Sequence, residues 1–379
     1  MNKETTRVVV AMSGGVDSSV AAALLVQEGY DVVGMMMRLW SDEASGGAEH
    51  NRCCTPDQMQ SARRIANRLG IPFYVLDTKD VFRERVVQYF IDRHREGFTP
   101  NPCLECNRRI RFDWLLRHAL ALDADDLATG HYARIAKNAA GGWLLKKGLD
   151  SSKDQSYVLS VMRQEQLSKT LFPVGEYPKA EVRRIASELV LDAANRKDSQ
   201  DLCFLGNNDY RDFLRTYAPE VMVKGPIVTS SGDVLGEHHG LSNYTIGQRK
   251  GLGVSFSEPL YVLAMNPFKN ALVVGTRAEL GRDQLEAANF NWVSGAPPDA
   301  AFRAEVKIRY RSQPQMAEIR CLGNGRVWIA FDEPQRDITP GQAAVVYQDD
   351  VCLGGGLIVK FEEEQDGLQA SEKAAGLAW

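Results

Sequence analysis

The segment VVVAMSGGVDSS, residues 8–19, decides the fold, because a turn rich in glycine and serine joins an apolar run to a helical pattern. We expect a buried strand over residues 8–12 and a helix over residues 18–28. Gly14 and Gly15 allow a tight turn and present backbone N–H groups to an anion, while serine hydroxyls and the helix N-terminus add further donors. The turn therefore predicts a phosphate-binding site. It lacks the Gly-Lys-Ser/Thr ending of a Walker loop, so transfer of a terminal phosphoryl group is not implied.

Apolar runs and helical patterns continue to alternate over the first two hundred residues. Further strands are expected over residues 31–39, 72–77 and 126–130, and further helices over residues 55–69, 81–95 and 107–122. Strands that alternate with helices favour a parallel sheet covered on both faces. Such an α/β sheet binds its ligands beyond the carboxyl ends of its strands.

The pattern of the chain changes after about residue 207. A helix is expected over residues 210–217, then short runs punctuated by Gly and Pro, and from about residue 260 short strands such as LYVLAM, ALVVG and RVWIAF. Several short strands separated by turn residues indicate a sandwich or a small β-barrel. We therefore expect an α/β catalytic domain over residues 1–206, a small central domain over 207–280, a β domain over 281–365 and a tail over 366–379.

The composition is that of a soluble globular protein, with 44% hydrophobic residues and a formal net charge of -4 over 379 residues. A protein that coats DNA would be strongly basic, so any nucleic-acid contact has to use a local patch. No run approaches the roughly 18 apolar residues that span a membrane. The polar N-terminus also has no apolar core of a signal peptide. The expectation is a cytoplasmic protein without a membrane partner.

Seven cysteines, an odd number, predict reduced thiols rather than a disulfide framework. Cys106 is expected at or just before a helix N-terminus and precedes two arginines, Arg108 and Arg109. Both features stabilise a thiolate, so we expect a lowered pKa and a nucleophilic sulfur. Cys203 follows in a strand-like segment, residues 198–206. Two thiols in loops around a nucleotide site suggest covalent sulfur chemistry, whereas Cys321 and Cys352 are expected to be small core residues.

The turn at residues 13–18 resembles the SGGxDS signature of the PP-loop ATP pyrophosphatases, whose catalytic domain has the adenine nucleotide α-hydrolase-like fold. Four further segments, TPNPCLECNRRIRF, TGHYAR, KDQSYVL and DSQDLCFLG, fall in the order and spacing of the MnmA family of tRNA-specific 2-thiouridylases. The resemblance implies ATP- and Mg²⁺-dependent 2-thiolation of the wobble uridine of tRNA. It further implies adenylation of the uridine O2, sulfur transfer from a cysteine persulfide, and release of AMP and pyrophosphate.

The same resemblance assigns roles to individual residues. Cys106 is implied as the nucleophile and Cys203 as the persulfide carrier. The ATP site is implied for Ala11, Met12, Ser13, Gly14, Gly15, Val16, Asp17, Ser18, Met37 and Gly130. Contacts with the target base and the tRNA are implied for Asn101, Pro102, Cys103, His131, Lys153, Asp154, Gln155, Arg309, Tyr310 and Gln342. Asp17 is a candidate metal ligand or loop-ordering carboxylate, and the alternative is a charge that complements the helix dipole.

The family also implies partners: tRNAs with Lys, Glu and Gln acceptors, and a sulfur donor protein that is a cysteine desulfurase or a relay protein. One residue departs from its pattern, because Cys103 stands where the best-known members carry Asp. This leaves open which member of the Cys-x-x-Cys pair acts. It also opens an iron–sulfur cluster held by Cys103, Cys106 and Cys203, with one iron site left to bind sulfide. A further alternative is a non-catalytic, nucleotide-regulated RNA-binding protein.

Overall fold

The computed structural model describes residues 3–41, 55–191, 202–205, 209–336 and 338–359. Its strands up to residue 171 are β1 (Arg7–Ala11), β2 (Asp31–Arg38), β3 (Phe73–Asp77), β4 (Asp126–Thr129), β5 (Ala133–Lys137), β6 (Trp143–Lys147) and β7 (Thr170–Leu171). Five of them form one sheet in the order β3-β2-β1-β4-β7, and every neighbouring pair is parallel. The prediction of a parallel α/β sheet is confirmed.

Helices flank this sheet and continue into the next domain. They are α1 (Val16–Gln27), α2 (Pro56–Leu69), α3 (Lys79–Phe82), α4 (Gln88–Arg95), α5 (Pro102–Glu105), α6 (Leu116–Ala121), α7 (Ser156–Leu159), α8 (Gln164–Leu167), α9 (Lys179–Glu188) and α10 (Tyr210–Tyr217). Two π-helical segments, Arg83–Val87 and Cys106–Leu115, join α3 to α4 and α5 to α6. Within the described ranges, no helix is long and apolar enough to cross a membrane.

The valines of β1 explain why this strand lies at the centre of the sheet. Val8 and Val10 pack into an apolar cluster with α1, whereas Val9 packs into a second cluster on the other face. Because successive strand residues point to opposite faces, a continuous apolar run requires cover on both sides. The turn that follows β1 is therefore held at the carboxyl edge of a rigid, fully buried strand.

The ends of α2 follow directly from the sequence. The Thr55 hydroxyl accepts a hydrogen bond from the Gln58 N–H, and the Gln58 side chain accepts one from the Thr55 N–H, both at 3.1 Å. This capping box starts the helix. Gly70, with a φ of 70°, ends it in the left-handed conformation that glycine adopts without strain. The predicted helix over residues 55–69 is confirmed.

The helix that carries Cys106 begins earlier than expected. The sequence pattern predicted a start at residue 107, whereas helical structure begins at Pro102. Asn101 caps it, because its side-chain oxygen accepts a hydrogen bond from the Cys103 N–H at 3.1 Å, and proline is favoured at the first helical position. Cys106 therefore lies one turn inside the helical segment rather than at its N-terminus.

The remaining strands build two β domains. They are β8 (Gly225–Thr229), β9 (Val234–His238), β10 (Tyr261–Asn266), β11 (Ala271–Gly275), β12 (Arg282–Trp292), β13 (Ala301–Lys307), β14 (Gln315–Gly323), β15 (Arg326–Gln335), β16 (Ala343–Gln348) and β17 (Val351–Ile358). A four-stranded sheet has the order β10-β11-β8-β9. The last six strands run β12-β15-β14-β13-β16-β17, and pairing of β17 with β12 closes them into a barrel. The expected sandwich or barrel is thus a barrel.

A hairpin that the sequence pattern did not predict ties the first domain to this barrel. β5 and β6 pair with each other, and β6 continues the barrel sheet through Leu145 opposite Cys352. The Arg134 guanidinium adds a salt bridge of 2.8 Å to Asp350. The hairpin of the first domain therefore belongs to the β-sheet of the C-terminal barrel, while the parallel sheet of the α/β domain remains separate.

A buried histidine between α4 and α10 predicts acid sensitivity. His94 is 7% exposed, packs edge-on against Phe90 and stacks on Tyr210, and burial lowers its pKa from 6.5 to about 4. Because the unfolded chain binds this proton below pH 6.5 and the folded chain does not, acidification costs stability. The free energy of unfolding therefore decreases from pH 7 to pH 5. We expect this decrease to be about 2 kcal/mol smaller in His94→Phe than in the wild type.

Urea unfolding followed by circular dichroism at both pH values measures this difference. His118→Phe, which removes an exposed histidine of α6, serves as the matched control. An unchanged pH dependence in His94→Phe would show that His94 does not contribute to the acid sensitivity.

Candidate active site

The turn between β1 and α1 has the construction expected of an anion site. Gly15 is the N-cap of α1 and has no side chain to accept the first N–H groups of the helix, so these donors remain for a ligand. The Ser18 hydroxyl accepts a hydrogen bond from the Ser13 N–H at 3.1 Å. The Ser19 hydroxyl donates to the Gly15 carbonyl at 2.7 Å. These bonds hold the turn in one shape before any phosphate arrives.

Two glycines allow neighbouring segments to approach the turn closely. Gly14 has a φ of +72°, and a Cβ atom there would lie 2.5 Å from the backbone oxygen of Gln58 in α2. Gly130 follows β4, and a Cβ atom there would lie 2.6 Å from the Ser18 N. Both distances are far below contact distance, so neither position accepts a side chain without movement of backbone. The structure thus places Gly130 directly against the turn.

Asp17 is held by two residues that sequence reasoning missed. The Tyr132 hydroxyl and the Lys179 ammonium group donate to the same carboxylate oxygen, Oδ1, at 2.7 and 2.6 Å. Lys179 is only 8% exposed, and a buried ammonium group requires such a partner. Tyr132 lies in the TGHYAR segment, which was a signal for it, whereas nothing in the sequence marks Lys179. Asp17 therefore orders the start of α1.

The same carboxylate fits a magnesium ion that arrives with nucleotide. Mg²⁺ is commonly bound through one or two carboxylates, phosphate oxygens and water, and Asp17 supplies one hard oxygen donor at the turn. Within the ranges that the structure covers, no group of three or more His, Cys, Asp or Glu side chains could hold a metal ion by itself. The single carboxylate of Asp17 suits a cation that ATP brings.

The predicted thiols lie together on the neighbouring helix and loop. Cys106 is 4% exposed and packs in an apolar cluster that includes Cys203. Desolvation by the surrounding protein, followed by the charge effects of Cys203 and Cys106, raises the pKa of Cys103 to about 12, although the residue is exposed at the surface. The three sulfur atoms are therefore close enough to sense one another's charge. The described part of the Cys203 segment, residues 202–205, is a turn and not the expected strand.

The expected low pKa of Cys106 is wrong. Burial raises its pKa to about 11, although the Arg111 guanidinium pulls it down. The two arginines that follow Cys106 do not act on it, because Arg108 and Arg109 both pair with Glu105, at 2.7 and 3.7 Å. The early start of the helix also removes Cys106 from the N-terminal turn where the dipole would stabilise a thiolate. In this state Cys106 is a neutral thiol.

A chain of contacts links the thiols to the phosphate turn. Arg111 lies near Cys106, and its Nη1 is 3.3 Å from Nε2 of His131. His131 follows Gly130, which packs on the turn. Burial and Arg111 keep the pKa of His131 well below 6.5, so its ring is neutral. Met37, at the end of β2, is packed against both the Cys106 cluster and the central core.

The three residues of the KDQ segment, Lys153, Asp154 and Gln155, have different surroundings in the structure. Asp154 is buried, and its carboxylate accepts hydrogen bonds from the Gly148 N–H and from the N–H and hydroxyl of Ser156. The Gln155 side chain accepts from the Tyr132 N–H at 3.0 Å, and so positions the tyrosine that holds Asp17. Lys153 is partly exposed. The side chains of Asp154 and Gln155 are thus both engaged within the protein.

The barrel reaches the thiol loop through residues predicted to contact tRNA. The Gln342 side-chain amide donates to the Thr99 carbonyl at 2.7 Å, two residues before Asn101. Arg309 donates to the Ile246 carbonyl at 2.9 Å and so links the barrel to the central domain. Tyr310 is 37% exposed, and Cys103 is among the groups that raise its pKa, after burial and Asp154. Tyr310 therefore lies beside the rim of the thiol site.

Some predicted features fall outside the described residues. These are residues 198–201 and 206 of the DSQDLCFLG segment and the tail expected over residues 366–379. Among the thiols that are described, Cys103, Cys106 and Cys203 do not form a ligand set for a metal ion. No disulfide links these three cysteines to one another.

The matches to known proteins extend over nearly all of the described residues. Three domain families match in succession: the tRNA methyl transferase HUP domain over residues 6–207, the tRNA methyl transferase PRC-barrel domain over 211–276, and the Aminomethyltransferase beta-barrel domain over 282–358. The tRNA-specific 2-thiouridylase MnmA of Clostridioides difficile (strain 630) is 45% identical over 95% of this chain and 99% of that protein.

Two further relatives show the same extent of similarity. The enzyme of the same name from Chloroflexus aggregans (strain MD-66 / DSM 9485) is 47% identical, over 94% of this chain and 99% of that protein. The one from Heliobacterium modesticaldum (strain ATCC 51547 / Ice1) is 48% identical, over 94% of this chain and 93% of that protein. With this identity over nearly its full length, the chain belongs to the tRNA-specific 2-thiouridylase (MnmA) family.

Proposed function

We propose that this ATP- and Mg²⁺-dependent tRNA 2-thiouridylase modifies the wobble uridine by activating its O2 with AMP. The C2 carbonyl of uridine is a poor electrophile, and its oxygen is a poor leaving group. Attack of O2 on the α-phosphate of ATP turns that oxygen into part of AMP, with pyrophosphate as the first leaving group. The turn at residues 13–18 supplies preorganised donors to the pyrophosphate. Bound Mg²⁺ would neutralise phosphate charge at Asp17.

The sulfur is delivered by the two thiols that the fold brings together. Cys203 carries a persulfide, and Cys106 attacks its inner sulfur, which releases sulfide and leaves a Cys106–Cys203 disulfide. The sulfide then displaces AMP from C2. In the alternative order the terminal sulfur attacks C2 first, and Cys106 then attacks Cys203 to release the thiouridine. Both routes consume two thiols and end in the same disulfide.

The high pKa of Cys106 has a consequence for this sequence of steps. The thiolate is the form that attacks sulfur, so Cys106 has to lose its proton before it can react with the persulfide. Arg111 is the group that favours the thiolate at both Cys103 and Cys106. Arg111 would therefore have to act more strongly once the tRNA is bound, next to a His131 ring that is neutral.

The partners follow from the chemistry and the family. The target base has to leave the anticodon stack to reach the thiols, and we assign contacts with the base or the tRNA to Asn101, Pro102, Lys153 and Tyr310. We further propose tRNAs with Lys, Glu and Gln acceptors as substrates, and a cysteine desulfurase or relay protein as the sulfur donor. Both partners place the reaction in the cytoplasm, and tRNA affinity is expected to fall as salt rises.

The observation that carries the proposal is the contact chain from the phosphate turn through Gly130, His131 and Arg111 to Cys106. We expect Cys203→Ser to reduce 2-thiouridine to below about 1% of wild type, while tRNA-dependent pyrophosphate release continues. Nucleoside analysis of digested tRNA and a pyrophosphate assay measure both products after incubation with ATP and a persulfide donor. Cys321→Ser is the matched control, because it removes a half-buried thiol of the barrel.

Two outcomes would reject parts of the mechanism. Full product from Cys203→Ser would exclude the persulfide role. No release of pyrophosphate when tRNA and ATP are both present would favour a nucleotide-regulated RNA-binding protein instead. Anaerobic purification with an iron assay and an absorption spectrum tests the iron–sulfur alternative, since a colourless and fully active preparation eliminates the cluster.

A further inference from the structure

Cys103, the third thiol of the site, takes no part in the sulfur-transfer steps proposed above. We propose that Cys103 is the resolving thiol of this enzyme: it attacks the Cys106 sulfur of the Cys106–Cys203 disulfide and moves the oxidised bond to the surface as Cys103–Cys106. This inference rests on the proposed function, because that function produces the disulfide. It concerns how the enzyme is regenerated, not how sulfur reaches the tRNA.

The backbone places Cys103 and Cys106 on one helical turn. The Cys106 N–H donates to the carbonyl oxygens of Cys103 and Pro102. Residues three apart in a helix have Cα atoms about 5 Å apart. Disulfides form across Cα separations of roughly 4.4 to 6.8 Å, so this pair can close with side-chain rotation and a small local shift.

The three thiols differ in their access to solvent. Cys106 is buried among apolar side chains, and Cys203 is half-buried in the same cluster, whereas Cys103 is exposed. Disulfide exchange needs direct attack on a sulfur atom, and Cys103 is the most exposed of the three thiols. A disulfide that includes Cys103 would therefore present an attackable sulfur to a reductant.

The step is balanced in atoms and electrons. Cys103 loses its proton, its sulfur forms a bond to Cys106 Sγ, and the Cys106–Cys203 bond breaks. Cys203 leaves as a thiolate, takes up a proton, and is ready to receive sulfur again. No net oxidation occurs in this exchange. A soluble dithiol then attacks Cys103, supplies the two electrons and becomes a disulfide itself.

The charges in the site favour this order. In the reduced site, Cys203 and Cys106 are two of the three causes that raise the pKa of Cys103, after burial, and Arg111 lowers it. When those two sulfurs are joined in a disulfide, neither can carry a negative charge. Loss of these two effects lowers the pKa of Cys103, so this thiol ionises more easily once there is a disulfide to resolve.

Peptide mapping after one turnover tests the proposal. Trypsin cleaves after Arg95, Arg108, Lys197 and Arg211, so Cys103 and Cys106 share the peptide 96–108 and Cys203 lies in the peptide 198–211. The enzyme is charged with a persulfide donor, given tRNA and ATP without reductant, and then quenched with acid and alkylated. Wild type should yield peptide 96–108 with an internal disulfide and an alkylated Cys203. Cys103→Ser should yield peptides 96–108 and 198–211 joined together.

Kinetics supply the second readout. With a dithiol present, the steady-state rate of Cys103→Ser should fall about tenfold more than its first-turnover rate, and Cys103→Asp, the residue of the best-known relatives, should behave alike. Cys321→Ser is the control for loss of a thiol elsewhere. Equal effects on both rates, or a wild-type enzyme that makes thiouridine but keeps the joined peptides, would overturn the resolving role. A wild type that makes no thiouridine would instead contradict the proposed function.

Discussion

Cys106→Ser is expected to lower 2-thiouridine formation by about 10³-fold or more, because a serine hydroxyl can neither attack a persulfide nor end in a disulfide. The change replaces one sulfur by one oxygen in a side chain packed beside Ile110 and Phe204, so the shape of the cluster is kept. Adenylation needs no thiol. A burst of about one pyrophosphate per enzyme should therefore still follow addition of tRNA. Nucleoside analysis and a pyrophosphate assay of the same reaction give the two numbers.

The control separates loss of chemistry from loss of fold. Cys352→Ser alters another buried thiol, in β17, so it reports the cost of placing a hydroxyl in an apolar core, about 1–3 kcal/mol. If Cys106→Ser keeps more than about a tenth of the wild-type thiolation rate, the assignment of Cys106 as nucleophile is wrong. Loss of the pyrophosphate burst together with thiouridine would point to a damaged fold rather than a missing nucleophile.

Local sequence patterns predicted the strands and helices around the site, because residues close together in the chain determine where these elements begin and end. The apolar run before Gly14 gave the buried strand, and Thr55 and Gly70 gave both ends of α2, since caps act within a few residues. The same reasoning failed at Pro102. The pattern of apolar residues starts later than the helix, and the proline and the capping Asn101 were assigned to a loop. One misplaced helix start was enough to reverse the predicted pKa shift of Cys106.

Local sequence patterns could not predict the contacts between segments that are far apart in the chain. Lys179 pairs with Asp17, which is 162 residues away in the sequence. The residues around a lysine at a helix start do not indicate whether its ammonium group is buried against a partner or solvated. Burial dominates the pKa of Cys106, and burial depends on α10 and on the loop that carries Cys203. The hairpin of β5 and β6 was missed for a related reason, because its partner β17 is about two hundred residues away.

Gly14→Ala is expected to lower tRNA-dependent pyrophosphate release by about 10²-fold or more, because the phosphate turn depends on a contact between two backbones. The new Cβ atom would lie 2.5 Å from the Gln58 carbonyl oxygen and 3.1 Å from its carbon. Neither atom belongs to a flexible side chain, so either α2 or the turn has to move. A shift of about 1 Å in the turn misdirects every N–H donor that should face the pyrophosphate, and such errors cost about 10²-fold in rate.

Gly29→Ala is the matched control, because Gly29 also has a positive φ, +86°, but an added Cβ atom meets nothing within 4 Å. Both substitutions force a left-handed alanine at a cost of roughly 1–2 kcal/mol, and only Gly14→Ala adds the collision. The two variants should therefore lose similar backbone stability in urea unfolding, with the larger total loss in Gly14→Ala. They should differ sharply in pyrophosphate release. Equal activity in both would mean that the turn tolerates displacement, and that its donors do not hold the leaving group.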